Sequence, residues 1–420
     1  MGRAGPGAFR RGAGVTDRPR YLRSVFWLGL AESAARLGNV LLQVLLVRAL
    51  APERYGVFAY AYSLFLVVIS LTGLGIPEAF IREGAIRSER IGEVLSEHFS
   101  LRAISAAAAA AIVLAVSAGA GRDAPVILAV GAYLLFRSLT SFLATMFRAR
   151  EVIWKEFALR SAETAVIVGV GAAALALRWS LVRVVWSLAA AGAACLAAAI
   201  LGFRALLPEF SWTLPRAAVR RIAAAAPYGL PAVAGGWLLR IDVVLFQRLG
   251  RDPVRTAYFA SAVNLVLAAA LVPVVAAAAI YPTLSRRGTG RGAGVGRLFA
   301  GFAAAGAVMA AGLALGASRI VRIAYGAAYA PAAPWLAATA PFLAFLSPAI
   351  FAATVLAARG RAGALSAALL PPLAGVAASA ALCFPAHPAA VVPVTIAWEA
   401  LASLLLTAIL WLSGRDSAPI

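Results

Sequence analysis

Cysteine, histidine and lysine are nearly missing from this 420-residue chain, which has two Cys, two His and a single Lys, Lys155. Two cysteines, Cys195 and Cys383, both inside apolar runs, exclude a disulfide-stapled scaffold and read as small core residues. His98 and His387 are too isolated to build a site, and no residue pattern calls for a metal or a cofactor. Charge is scarce as well. Only 13% of residues are charged against 63% hydrophobic, more apolar surface than a globular fold could cover, so the composition points to a polytopic membrane protein.

The charge that is present is lopsided. Arg supplies 37 of the 38 basic residues, and the formal net charge is +21. A basic excess of that size could signal nucleic acid, but these arginines sit in short segments between apolar spans, which makes them a topology signal. With the N-terminus inside, 25 basic residues fall in cytoplasmic segments against 10 outside. That asymmetry predicts an even number of spans and both termini in the cytoplasm.

The first span, Ser24 to Val47, is about the length an α-helix needs to cross a ~30 Å hydrocarbon core. It carries a polar ladder, Glu32, Arg36, Asn39 and Gln43, on one narrow face. Such a face lines either a solvated cavity or a dry helix interface held by a Glu32 to Arg36 pair. A second span covers Tyr55 to Ile76, and the alternating charges of Glu78 to Arg102 suggest an amphipathic helix at the membrane surface. Further spans fall near 102–120, 125–146, 158–177, 184–206, 223–247, 256–281, 298–317, 334–358, 362–384 and 390–413, twelve in all. Residues 1–21, rich in Gly and Arg, read as a disordered cytoplasmic tail.

The chain also repeats itself. Phe58, Ala59, Ala61 and Leu64 recur 201 residues later as Phe259, Ala260, Ala262 and Leu265. An even number of helices per repeat predicts two six-helix halves, 22–207 and 208–420, related by an axis along the membrane normal with a cleft between them. Arg36, Arg137 and Arg240 lie at membrane depth and suit an anion, because guanidinium stays protonated and forks onto phosphate or carboxylate oxygens. Ser141 and Arg148 follow Arg137 on the same helical face, and Gly229, Gly236 and Gln247 align with Arg240. Among the acids, Glu32, Asp242 and Glu399 lie within spans and either couple an ion or hold an Arg in place.

The run LLVRALAPERYGVFAYAYSLFLVVISLTGLGIPEAFIREGA resembles the first two spans of bacterial polysaccharide exporters, the lipid-linked oligosaccharide flippases of the multidrug/oligosaccharidyl-lipid/polysaccharide exporter superfamily. Later stretches, PYGLPAVAGGWLLRIDVVLFQRLG, AYFASAVNLVLAAALVPVVAAAAIYPTLS and Tyr325–Tyr329, extend the resemblance over nearly the whole chain. It implies an all-α fold of two six-helix lobes around a cationic cavity, whose lining on the periodicity above would be Arg36, Asn39, Gln43, Arg137 and Arg240. It also implies a bacterial inner-membrane transporter without catalytic residues. The expected partners are a lipid-linked glycan, membrane lipids and the polymerase and glycosyltransferases of the same pathway, with no nucleic acid. Two alternatives stand beside it: a drug or organic-ion exporter of the same superfamily, and a membrane-embedded glycan polymerase or ligase. The latter should carry a long external catalytic loop, which no segment supplies.

Overall fold

The computed structural model describes residues 18–73, 75–150, 152–206, 229–230, 233–286, 293–359, 362–382 and 390–412. All regular structure among them is helical. The first half contains α1 (Arg18–Ala49), α2 (Pro52–Gly73), α3 (Ile76–Ile86), α4 (Ile91–Ala118), α5 (Ala124–Ala149), α6 (Ile153–Ala176) and α7 (Leu181–Leu206). The second contains a helical stretch at 233–238, then α8 (Ile241–Gly250), α9 (Pro253–Ala269), α10 (Leu271–Arg286), α11 (Ala293–Tyr325), α12 (Ala333–Thr339), α13 (Phe342–Ala358), α14 (Ala362–Leu382) and α15 (Val391–Leu412).

Seven helices or continuous helix pairs are long and apolar enough to cross a bilayer, and α12 with α13, bent by 55°, make an eighth. With α1, α2, the 233–250 segment and α14 this accommodates twelve spans. The segment 207–228, where the sequence puts the seam between halves, lies outside the described residues, as do Cys383 and His387. Cys195 is free and only half-buried.

Three expectations need correction. The surface helix is α3 alone, because the second half of the charged run, from Ile91, is already the start of α4. Arg102 therefore stands within a span and is 4% exposed. Glu83 explains the bend: it pairs with Arg87 at 2.7 Å and lies 3.5 Å from His98 Nε2, fixing α3 against the start of α4. The seventh span is broken at Leu239 and Arg240, so a continuous helix over 223–247 does not describe it. The tenth breaks at Ala340, next to Pro341, which cannot supply the backbone N–H a continuous helix needs there.

Within each half, close packing relies on small residues. A Cβ on Gly38 of α1 would fall 1.9 Å from Thr164 Cγ2 of α6, so only glycine lets these helices approach as they do. Between the halves, the repeat seen in the sequence becomes a contact. Phe58, Ala59 and Ala61 of α2 and Phe259, Ala260 and Ala262 of α9 are all buried in one apolar cluster, and a Cβ on Gly56 would strike Pro253 O at 1.9 Å. The two helices that carry the repeated residues thus pack on each other.

The apolar clusters also give the molecule its shape. At the end carrying the α1–α2 turn, one cluster contains residues from both halves. At the opposite end, where α3 lies, the described residues form separate clusters, one around Phe80, Phe142 and Phe147 and one around Phe302 and Phe351. Among the described residues the apolar core is thus shared at the α1–α2 end and divided at the α3 end, where Trp237 Nε1 still donates to Val67 O and Ser70 Oγ of α2. A latch reinforces the shared end: Arg48 Nε donates to Ala324 O at 2.7 Å, its Nη2 donates to Ile323 O, and Tyr325 packs on Tyr329, whose ring meets Tyr55 edge-on. A guanidinium on the last carbonyls of α11 satisfies acceptors that a helix terminus otherwise leaves open.

Candidate substrate-binding cleft

Just below the shared apolar layer, polar side chains from both halves join into one chain. The Tyr55 hydroxyl of α2 donates to Gln43 Oε1 of α1 at 3.0 Å and accepts from Asn264 Nδ2 of α9 at 2.9 Å. Asn264 Oδ1 in turn accepts from Arg240 Nη1 at 2.9 Å. The Arg240 guanidinium stands 5.9 Å from the centre of the Tyr62 ring, and the Tyr62 hydroxyl donates to Asn39 Oδ1 at 2.7 Å. Asn39, Gln43 and Arg240, picked out in the sequence, are thus brought together, but by three residues that the sequence did not single out. Tyr55 and Tyr62 lie seven positions apart, which puts them on one face of α2. Asn264 aligns with Ser63 under the same 201-residue shift as the repeat, so its position was legible although its polarity went unused.

Arg137 belongs to the same region by its neighbours. Its Nη1 donates to the hydroxyl of the fully buried Tyr133 at 3.0 Å, and Tyr62 and Glu163 act on its charge. Glu163 is 6% exposed, and its buried Oε1 has no hydrogen-bond partner among the described residues. Ser141 and Arg148, placed by periodicity on the face of Arg137, go elsewhere. Arg148 forks onto Glu156 at 3.1 and 2.5 Å, and Ser141 accepts from Arg160 Nη2 at 2.8 Å. A shared face fixes only the Cβ directions. The long guanidinium stems then reach toward opposite ends of α5.

Arg36 is solvent-exposed and makes no ion pair with another described residue, and the side chain of Glu32 lies outside the described residues. The other two acids meet. Asp242, 8% exposed, and Glu399, 6% exposed, come from α8 and α15, and the Asp242 carboxyl acts electrostatically on that of Glu399. Val243 N donates to Asp242 Oδ1 at 2.7 Å, and Arg240 is the nearby cation. The helix break matters here. A continuous helix would turn Arg240 and Asp242 to nearly opposite faces, whereas Arg240 in a non-helical conformation, φ −141°, brings its charge to bear on Asp242. The same break undoes the alignment of Gly229 and Gly236 with Gln247, which instead accepts from Thr256 at 2.6 Å.

The assembled polar cluster has two half-buried arginines, tyrosine hydroxyls and amides from both parts of the chain, with three buried acids around it. Such a lining can solvate a polar headgroup and favours negative charge near Arg137 and Arg240.

Comparison with solved structures places this fold among transporters. The MATE multidrug transporter DinF-BH superposes with a TM-score of 0.67 at 14% identity, covering 97% of each chain. An inward-facing multidrug resistance MATE family transporter of the MOP superfamily gives 0.64 at 15% identity, over 91% of this chain and 96% of the other. The lipid II flippase MurJ in an inward closed conformation gives 0.64 at 13% identity, over 91% and 87%. No curated protein sequence matches the chain significantly. A family profile does match, over residues 21–287 and hence well over half of the chain, from the first polar ladder to the end of α10. The chain belongs to the family of polysaccharide biosynthesis proteins to which that profile corresponds.

Proposed function

We propose that this protein is a flippase carrying an undecaprenyl-diphosphate-linked oligosaccharide from the inner to the outer leaflet for O-antigen, capsule or exopolysaccharide assembly. The observation that carries the reading is the apex of the cleft, where Arg137 and Arg240 stand among hydroxyls and amides contributed by both halves. Glycan hydroxyls cannot enter hydrocarbon without replacing their water, and these side chains offer the replacement. The lipid tail stays in the bilayer while the headgroup moves, and the arginines attract the diphosphate.

The excess of basic residues in alternate connections supports an orientation with the α3 end and both termini in the cytoplasm of a bacterial inner membrane. An apolar core shared at the far end and divided at that end suits loading from the inner leaflet. The contact between α2 and α9 suits alternating access by rocking of one half on the other. Pathway glycosyltransferases would supply the cargo, and a polymerase or ligase would consume it. A diphosphate carries about two negative charges, so an inside-negative potential favours its outward movement by roughly 2.3 kcal/mol per charge per 100 mV. Asp242 and Glu399 would add ion coupling, since a proton or small cation between them relieves their repulsion.

An exporter of cationic drugs is the second reading, favoured by the buried Glu163, Asp242 and Glu399. The two apex arginines disfavour a cation. Purified protein in liposomes with a labelled lipid-linked oligosaccharide decides between them. The sugar should become cleavable by an external glycosidase faster than in empty liposomes, and transport of a cationic dye with no effect on the glycan would overturn the flippase.

A further inference from the structure

Away from the apex, toward the α3 end, lies a cavity of about 350 Å³ between α2, α3, α4, α5 and α6, closed on the side of the second half by Gly229 and Val233. This is within the ~300–1,000 Å³ range of small-ligand sites. Its polar lining is Arg102, Arg148 and Arg160 with the hydroxyls of Ser70, Ser138, Ser141 and Thr145, of which Ser70 and Thr145 donate to the Val67 and Phe142 carbonyls. Two acids belong to the surroundings. Glu156, fully buried, is gripped by Arg148 and lies 3.5 Å from Arg160 Nε, so its oxygens are already engaged. Glu78 lines the cavity and faces Arg102 and Arg148 only through space.

Arg102 is the anomaly. It is 4% exposed, has no carboxylate within ion-pairing distance among the described residues, and holds only hydroxyls, Ser105 Oγ at 3.2 Å and Ser138 Oγ. Burying a guanidinium with no carboxylate in direct contact is costly, and neutral hydroxyls offset only part of that cost. Serines on α4 and α5 keep its fork aimed, and the Glu78 carboxylate acts on its charge only through space. A ligand with oxygens and negative charge would complete the site, whereas a cation would meet guanidinium groups.

We propose that this cavity is a phosphate-binding site at which Arg102 takes the diphosphate of the lipid-linked cargo before the headgroup reaches the cleft apex. The identity of the anion rests on the flippase reading, while the site itself rests on the geometry of Arg102. The same phosphate chemistry could come from free pyrophosphate or from a phospholipid headgroup, and the test separates these sources.

The test uses the full chain in detergent, with Cys195→Ala and Cys383→Ala and one new thiol, Ser141→Cys, in the cavity. Alkylation by a maleimide is timed alone, with inorganic pyrophosphate, with a short-chain prenyl diphosphate, and with short-chain phosphatidylglycerol. Pyrophosphate and the prenyl diphosphate should each slow the reaction at least fivefold, and Arg102→Gln should remove that protection. A second variant, Thr145→Leu, leaves every arginine in place and should weaken protection by crowding the cavity, which keeps the test decisive if Arg102→Gln fails to fold. Equal protection in both variants overturns the site, as does protection by phosphatidylglycerol alone. Liposome flipping is measured in parallel. Flipping by the wild type without Arg102-dependent protection overturns this site and leaves the flippase standing, and the converse result keeps the site and overturns the flippase.

Discussion

Arg137 and Arg240 share one situation: each is tied to a neutral oxygen, the Tyr133 hydroxyl or Asn264 Oδ1, and among the described residues neither forms a direct ion pair, Glu163 and Asp242 acting on them only through space. A neutral acceptor orients a guanidinium without neutralising it, which leaves its charge for cargo. Arg137→Ala and Arg240→Ala should each slow glycan flipping tenfold or more, about 1.4 kcal/mol or greater in barrier, with unchanged protein in the membrane. Arg54→Ala, exposed beside the α1–α2 turn, should stay within about twofold of the wild type. Flipping rates normalised to protein recovered from membranes check this. Full activity in both central variants would leave the apex without a role.

At the level of elements, the contact between α2 and α9 holds the halves together. Their entry turns are built alike, each with Pro at the first helical position, and Asp252 caps α9 by accepting from Val254 N and Arg255 N at 2.9 and 3.1 Å. Gly56 lets the backbone of Pro253 approach where no side chain fits. Gly56→Val should drive α2 and α9 apart at this end and lower thermal stability, since the strain falls on backbone that cannot rotate away. Spin labels at Arg54 and Arg255, both exposed, report the separation. The distance should lengthen or broaden, and an unchanged distribution would mean that this contact is not the joint on which the halves move.

For the whole molecule, the sidedness and the driving force are the tests. In a background without Cys195 and Cys383, Arg90→Cys in the α3–α4 connection should react only with reagents that reach the cytoplasm, and Arg122→Cys in the α4–α5 turn with reagents added outside. Reaction of both from one side would overturn the alternating spans. For the driving force, Asp242→Asn with Glu399→Gln should keep flipping driven by a potassium–valinomycin potential, because the amides preserve hydrogen-bonding shape without titrating. The component driven by a pH or sodium gradient should disappear. Wild-type rates that follow pH and ignore potential would count against the potential as the main force.

Composition alone determined that this is a membrane protein, because 63% apolar residues leave no soluble solution, and the arginine spacing supplied the expected alternation of spans. Periodicity picked out Asn39, Gln43, Arg137, Arg240, Asp242 and Glu399, since a polar residue inside a span is costly and therefore visible. It could not tell which of them meet. Partners such as Tyr55 and Asn264 are 209 residues apart, and their pairing depends on how two halves dock, which no local period encodes. Arg102 was misplaced for the same reason. Its charged neighbourhood reads as surface, and only the packing of α4 against α2 and α5 turns it inward. The break at Arg240 likewise leaves no mark in hydropathy, yet it decides that this arginine faces both Asn264 and Asp242.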